Sequence, residues 1–185
     1  LTNSLEAFNT NYAKGCRFFE TDISWTKNNR LVLLHDWNVS AKMLFGITGS
    51  RTLVEFKALH NHLNLHQMSI YDLEKWTIEH PDAYIISDVK RNNLQALAKI
   101  INENPFLAER IIPQFYRLTE YHKIRSLGFN KTIFTAYRSS YDDQTILSFV
   151  KRNHLFAVTI PQKSAFGLLP RKLSNQGIFV YSHTI

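Results

Sequence analysis

The sequence predicts an α/β chain built as a parallel (β/α) barrel. Two observations predict it. Apolar, β-branched strand runs alternate with amphipathic helical segments at crossover spacing, the pattern of parallel strands joined by helices. Polar acid–base residues then gather at the ends of those runs: Glu20 and Asp22 after Phe18-Phe19, His35 after Leu31–Leu34, and Asp88 after Tyr84-Ile85-Ile86. Charged groups at strand ends, with apolar residues before them, are how a parallel barrel presents a site.

The elements follow in order. Ser4 can cap a helix carrying Leu5, Phe8 and Tyr12, closed by Gly15. Arg17–Ser24 reads as a strand, Lys27-Asn28-Asn29 as a turn and Leu31–His35 as a second strand. Trp37–Ser50 has weak periodicity and two glycines, and reads as a long loop. Thr52 caps a short helix to about Ala58, and Ser69 opens another that stops before Pro81. Tyr84–Val89 is a strand, and Asn92 or Asn93 begins the helix of Leu94, Leu97 and Ile101. Strands at Arg110–Phe115, Lys131–Ala136, Leu155–Ile160 and Gly177–Ser182 then alternate with helices at Thr119–Leu127, at Asp143–Lys151 and around Leu173.

That count is seven strands, and a closed barrel of this kind needs eight. An open slot would leave unpaired backbone on both flanking strands. The expectation is one domain over residues 1–185, its first strand lying before Leu1.

At 185 residues and 44% hydrophobic, the chain can build one core. No apolar run approaches the roughly 20 residues of a membrane span, and no signal pattern opens the sequence. The single Cys16 excludes an internal disulfide and a thiolate metal cluster, and is expected to be a small buried side chain. The net charge of +7 favours anionic partners, among them phosphate esters and anionic lipid surfaces. The basic residues form no stripe with interleaved aromatics, so nucleic acid is not expected. His60, His62 and His66 sit in a polar segment without a fourth ligand and are not read as a zinc site. His80, His122 and His154 read as surface or helix-end residues.

Glu20 and Asp22 are two apart on a strand and share a face. Carboxylates that close repel unless a proton or cation joins them. With Asp88 they form an all-oxygen set suited to Mg²⁺ or Ca²⁺. His35 is the candidate for proton transfer. Lys90 can neutralise a phosphate oxygen or pair with Asp88. Gln114 and His183, each at a strand end, are candidate substrate contacts.

The run Asn3-Ser4-Leu5-Glu6-Ala7-Phe8, then Gly15, Phe19-Glu20-Thr21-Asp22-Ile23, Thr26-Lys27 and Val32-Leu33-Leu34-His35-Asp36 resembles the glycerophosphodiester phosphodiesterase family. Weaker likeness continues through Thr52-Leu53-Glu55-Phe56, Ser87-Asp88-Val89-Lys90 and Tyr181-Ser182-His183-Thr184. The resemblance implies a TIM (β/α)8 barrel of the phosphatidylinositol phosphodiesterase-like type and a phosphoric diester hydrolase. It implies a divalent cation on Glu20, Asp22 and Asp88, and His35 as one of two histidines exchanging protons. The implied substrates are glycerophosphodiesters, lysophospholipids or related head groups. Peripheral membrane contact and a cell-envelope or secreted location would suit them. Three departures stand out. The family's first-strand histidine has no counterpart, Thr2 stands where many members carry Glu, and Asp88 stands where Glu is usual. An Asp there is similar to the sphingomyelinase D-like branch, which cyclises choline phospholipids. The alternative expectation is a non-catalytic phosphate-ester-binding barrel.

Overall fold

The computed structural model describes residues 2–183, with only the backbone at His183. The chain forms two compact units, the first ending at Ile111 and the second beginning at Ile112.

The first unit runs α1 (Leu5–Ala13), β1 (Phe18–Trp25), β2 (Leu31–Leu33), α2 (Val39–Phe45), α3 (Leu53–Ala58), α4 (Ile70–Glu79), β3 (Tyr84–Val89), α5 (Asn93–Glu103) and α6 (Pro105–Ala108). The expected caps are present. Ser4 accepts from the Ala7 amide, and Thr52 and Ser69 each form a reciprocal capping box, with Glu55 and Asp72. β1 and β3 pair in parallel from Phe18↔Tyr84 to Ile23↔Val89. Phe8, Phe19 and Trp76 pack their rings 5.0–5.3 Å apart beneath this pair. Val32, Leu34, Ala41, Leu44 and Phe56 form a second apolar cluster.

β4 (Ile111–Phe115) leads into the second unit. There α7 (Tyr121–Ser126), β5 (Ile133–Thr135), α8 (Asp143–Arg152), β6 (Ala157–Pro161), α9 (Leu168–Ser174) and β7 (Phe179–His183) follow. Strands β4 to β7 pair in sequence order, all parallel. Phe115 and Phe134 meet at 5.3 Å and are fully buried, and Ile124, Ile146, Leu147, Val150 and Leu173 are among the buried residues of helices α7, α8 and α9 that face inward.

Three expectations are corrected. First, β2 is antiparallel to β1, with Ile23↔Leu33 and Trp25↔Leu31 in register. The link Thr26–Arg30 is a tight turn closed by Thr26 N–H donating to the Arg30 carbonyl at 2.8 Å, with Asn29 at φ 56°. A parallel return needs a crossover of a dozen or more residues. The seven expected strands are all present, but β2 runs antiparallel to its neighbour and is not one of the parallel set. Second, Trp37–Ser50 is not all loop. Asp36 accepts from the amides of Asn38, Val39 and Ser40, which satisfies the first turn of α2, and Ala41 and Leu44 bury its inner side. Third, Cys16 is exposed, because it lies in the turn between α1 and β1, outside either packed element.

Candidate active site

The acidic cluster is built by strand register. Asp22 on β1 and Asp88 on β3 are direct partners across the parallel pair. Both are buried, and Glu20 lies two residues back on the same face of β1. Ligating atoms of Glu20, Asp22 and Asp88 all lie within 4.8 Å of one another.

Lys90 reaches in from the bend after β3. Its ammonium donates to Asp22 Oδ1 at 2.6 Å and Asp88 Oδ2 at 2.5 Å. Burial alone would lower the Lys90 pKa, but the hydrogen bonds and charges of the two aspartates raise it above the ordinary lysine value. The remaining charge imbalance falls on Glu20. Although much of this residue is exposed, its carboxyl is crowded by protein, and the charges of Asp22 and Asp88 add to that. Together they push it up to about 7, with Lys90 and His35 opposing. The set thus carries more negative charge than Lys90 neutralises, and its donors are all carboxylate oxygens. Both properties fit a hard divalent cation.

The turn between β1 and β2 brings the chain back to Asp22. Leu34 N–H donates to the Asp22 carbonyl at 3.1 Å, and His35 follows at a bend, exposed. His35 therefore does not end a parallel strand, as its spacing suggested. Its Nδ1 lies 2.9 Å from Asp36 Oδ2. Burial would raise the Asp36 pKa. The bonds from His35, from Ser40 Oγ (2.8 Å) and from the amides of Asn38 and Val39 overcome it and hold that carboxyl well below the usual range. An ionised carboxylate only accepts, so Nδ1 carries the proton and Nε2 is left to exchange one.

A cavity of about 350 Å³ opens beside these groups, with His35, Asp36, Lys90, Trp25, Trp37 and Arg91 in its wall. The Trp25 indole N–H donates to the Arg91 carbonyl and that of Trp37 to the Trp25 carbonyl, at 2.9 and 2.7 Å.

Sequence reading missed two residues. Asn3, at φ 49°, donates from Nδ2 to Asp22 Oδ2 at 3.1 Å and accepts from the Asp22 amide at 3.2 Å. An asparagine just before a helix cap was the available signal, since Asn tolerates left-handed backbone and bonds locally. Asp36, the orienting partner of His35, was visible only as a neighbour. Of the other candidates, Gln114 is buried in the second unit and accepts from Thr135 Oγ1 at 2.9 Å. His183 ends β7, and its side chain lies outside the described residues. His66 pairs with Glu6.

The family model for the glycerophosphoryl diester phosphodiesterase family matches residues 1–164. The chain belongs to that family. It is thereby a phosphodiesterase of the hydrolase class. Three solved structures share its fold. A glycerophosphodiester phosphodiesterase from Parabacteroides distasonis is 14% identical, with TM-score 0.73 over 99% of this chain and 77% of the other. One from Agrobacterium tumefaciens is 12% identical, with TM-score 0.71 over 96% and 77%. An Oleispira antarctica phosphodiesterase, solved with the product sn-glycerol-3-phosphate, is 13% identical, with TM-score 0.59 over 97% and 86%. At these identities the likeness establishes the fold, the α/β TIM-barrel class expected from the sequence. No curated protein matches the chain in sequence. No described helix is long and apolar enough to cross a membrane.

Proposed function

We propose that this family member cleaves glycerophosphodiesters by proton transfer at His35, with a divalent cation, Mg²⁺ or Ca²⁺, held by Glu20, Asp22 and Asp88. One observation carries the reading. Three carboxylates converge within 4.8 Å in the same unit as a histidine whose proton position is fixed by an ionised partner. When bound, the cation supplies the positive charge that stabilises a developing oxyanion on phosphorus.

The chain's own groups do the rest. A substrate hydroxyl next to the ester attacks phosphorus and loses its proton to water. The bond from phosphorus to the head-group alcohol breaks, and His35, entering this step as the imidazolium with a proton on each nitrogen, gives that oxygen the proton from Nε2. A cyclic phosphate results, which water can open with His35 now accepting the proton. Lys90, held charged by its two aspartates, sits where it can offset charge on a non-bridging oxygen. Asn3 and Asp36 are positioning residues that act through Asp22 and His35.

The substrates on this reading are small glycerophosphodiesters and lysophospholipids, the latter met at an anionic membrane surface that the net charge of +7 would attract. A cell-envelope or secreted location would give access to them. The test is release of alcohol from a panel of glycerophosphodiesters, before and after treatment with a chelator. Activity that vanishes with the chelator and returns on adding Mg²⁺ or Ca²⁺ supports the reading. Full activity after exhaustive chelation overturns its metal part, and no turnover of any diester overturns the whole.

A further inference from the structure

The cavity beside His35 has a composition that the reaction alone does not require. Reading it as the place of the departing alcohol rests on the function proposed above. What it would select follows from its walls.

Trp25 and Trp37 both line it. Both indole N–H groups are spent on backbone carbonyls, so these rings offer apolar, polarisable surface and no free donor. Trp37 is braced from behind by Phe56, whose ring lies 5.7 Å away nearly at right angles. Gly49, at φ +80°, closes the wall by donating its amide to the Trp37 carbonyl at 2.9 Å. The aromatic surface is therefore fixed before any ligand arrives.

Two kinds of alcohol suit such surface. A quaternary ammonium could use cation–π attraction to the rings. A cyclic polyol could lay its C–H face on an indole and spend its hydroxyls on surrounding polar groups. The polar part of the wall separates them. Lys90 lines the cavity but spends its charge on Asp22 and Asp88, so Arg91 is the cation that this wall presents. The one acid in the wall, Asp36, already accepts from His35, Asn38, Val39 and Ser40. A quaternary ammonium entering here would meet the Arg91 guanidinium and, having no N–H or O–H, would leave the polar groups of the wall without partners. A hydroxyl-rich ring meets a different environment. The side chains of Asn38, Ser50 and Arg91 line the same space. Among the described residues none of the three is assigned a side-chain hydrogen bond. They can donate to hydroxyl oxygens, and Asn38 and Ser50 can also accept.

We infer that this cavity is a head-group subsite that selects a cyclic polyol, of the inositol or hexose kind, over a quaternary ammonium, with Trp25 and Arg91 as its specificity-determining residues. The cavity volume of about 350 Å³ is at the small end of ligand pockets and suits one ring.

The experiment is a calorimetric titration with glycerophosphoinositol and with glycerophosphocholine. These diesters share the glycerophosphate half and differ in the alcohol. The protein is loaded with Ca²⁺, and turnover of both compounds is followed in parallel. The inositol diester should bind at least tenfold more tightly. Arg91→Met and Trp25→Leu, both at accessible positions, should each reduce that preference at least fivefold while leaving Ca²⁺ affinity within twofold. Equal or tighter binding of the choline diester overturns the inference, as does a preference that neither variant moves. The two proposals separate cleanly. Hydrolysis without discrimination leaves the phosphodiesterase reading standing and removes the subsite. Discrimination without hydrolysis does the reverse. If a variant misfolds, as judged by lost Ca²⁺ binding, Arg91→Lys replaces it. That change keeps the charge but loses the forked donor set, and should weaken the inositol diester alone.

Discussion

Asp22 and Asp88 are placed by main chain, and His35 is placed by side chains. The two aspartates occupy matched positions on hydrogen-bonded parallel strands and are buried. No rotamer of a neighbour can carry them far apart. His35 stands outside any strand, exposed, and its ring is oriented by one bond to Asp36. Asp36 is in turn held by the first turn of α2. The difference shows how a single site can be rigid where it must hold charge together and adjustable where it must move a proton. It also says that the two halves should fail separately.

The largest expected effect falls on the histidine half. His35→Ala should cut diester turnover by roughly 10²–10⁴-fold, the usual contribution of a positioned acid–base group. Divalent-ion affinity should stay within twofold, because the carboxylates do not depend on that ring for position. A steady-state assay beside a metal titration decides this. Near-normal turnover would make His35 structural, and a joint loss of metal binding would erase the contrast between the halves.

The reciprocal experiment is Asp22→Asn, which should weaken divalent-ion binding at least tenfold, since a hard cation loses a charged ligand. The variant should still fold, because Lys90 keeps Asp88 as a partner and the substituted side-chain amide can still bond Asn3. Unchanged affinity by calorimetry would remove Asp22 from the ligand set.

The same contrast explains what could be read from sequence. Glu20, Asp22 and Asp88 were legible because period-two alternation and strand ends fix where such residues point, and the structure brings all three together. The caps at Ser4, Thr52 and Ser69 were legible for a similar reason, being local chemistry over three or four residues. The direction of β2 does not lie in its apolar run but in the length of the Lys27-Asn28-Asn29 link, which is too short for a parallel crossover. Helix α2 was not legible because its N-terminus is held by Asp36, two residues before the cap position Asn38, and because its apolar residues are spread around the helix, with only Ala41 and Leu44 buried. Asn3 reaches Asp22 across nineteen residues of sequence, and no local pattern announces such a bond.

A smaller effect should come from pH, acting on the carboxylate half. Glu20 has an ordinary value near 4.5 and is pushed up to about 7 in the folded chain. Between those values the folded state binds the proton more tightly than the unfolded state. Metal-free stability should therefore fall as pH rises from about 4.5 through 7. Urea midpoints should drop across that window, and Glu20→Gln should flatten the drop. Protons also compete with the cation at Glu20, so divalent affinity should be about tenfold weaker at pH 6 than at pH 8, with proton release on binding. An affinity independent of pH in this range would mean that Glu20 is not a ligand.

The smallest expected effect tests the chain of bonds behind His35. Ser40 Oγ donates to Asp36 Oδ2 at 2.8 Å, the same oxygen that receives His35 Nδ1. Ser40→Ala removes that donor, leaving the amides of Asn38 and Val39 on the other oxygen, Oδ1, and, besides His35, only the longer bond from the residue-40 amide, at 3.3 Å, on Oδ2. The helix should survive, because those amides are still capped. The oxygen facing the histidine becomes freer to rotate and to accept water, and the ring it orients becomes less fixed. One hydrogen bond to a charged, partly exposed group is worth about 1 kcal/mol here, so turnover should fall roughly three- to tenfold. KM and divalent affinity should stay put, because neither depends on the imidazole's angle. The alkaline and acid limbs of the pH–rate profile carry the decisive information. If Ser40 acts through Asp36 on His35, the limb that reports the histidine should shift while the limb that reports Glu20 does not. A variant that lowers turnover with an unchanged profile would mean that Ser40 serves only α2, and that Asp36 orients His35 without its help.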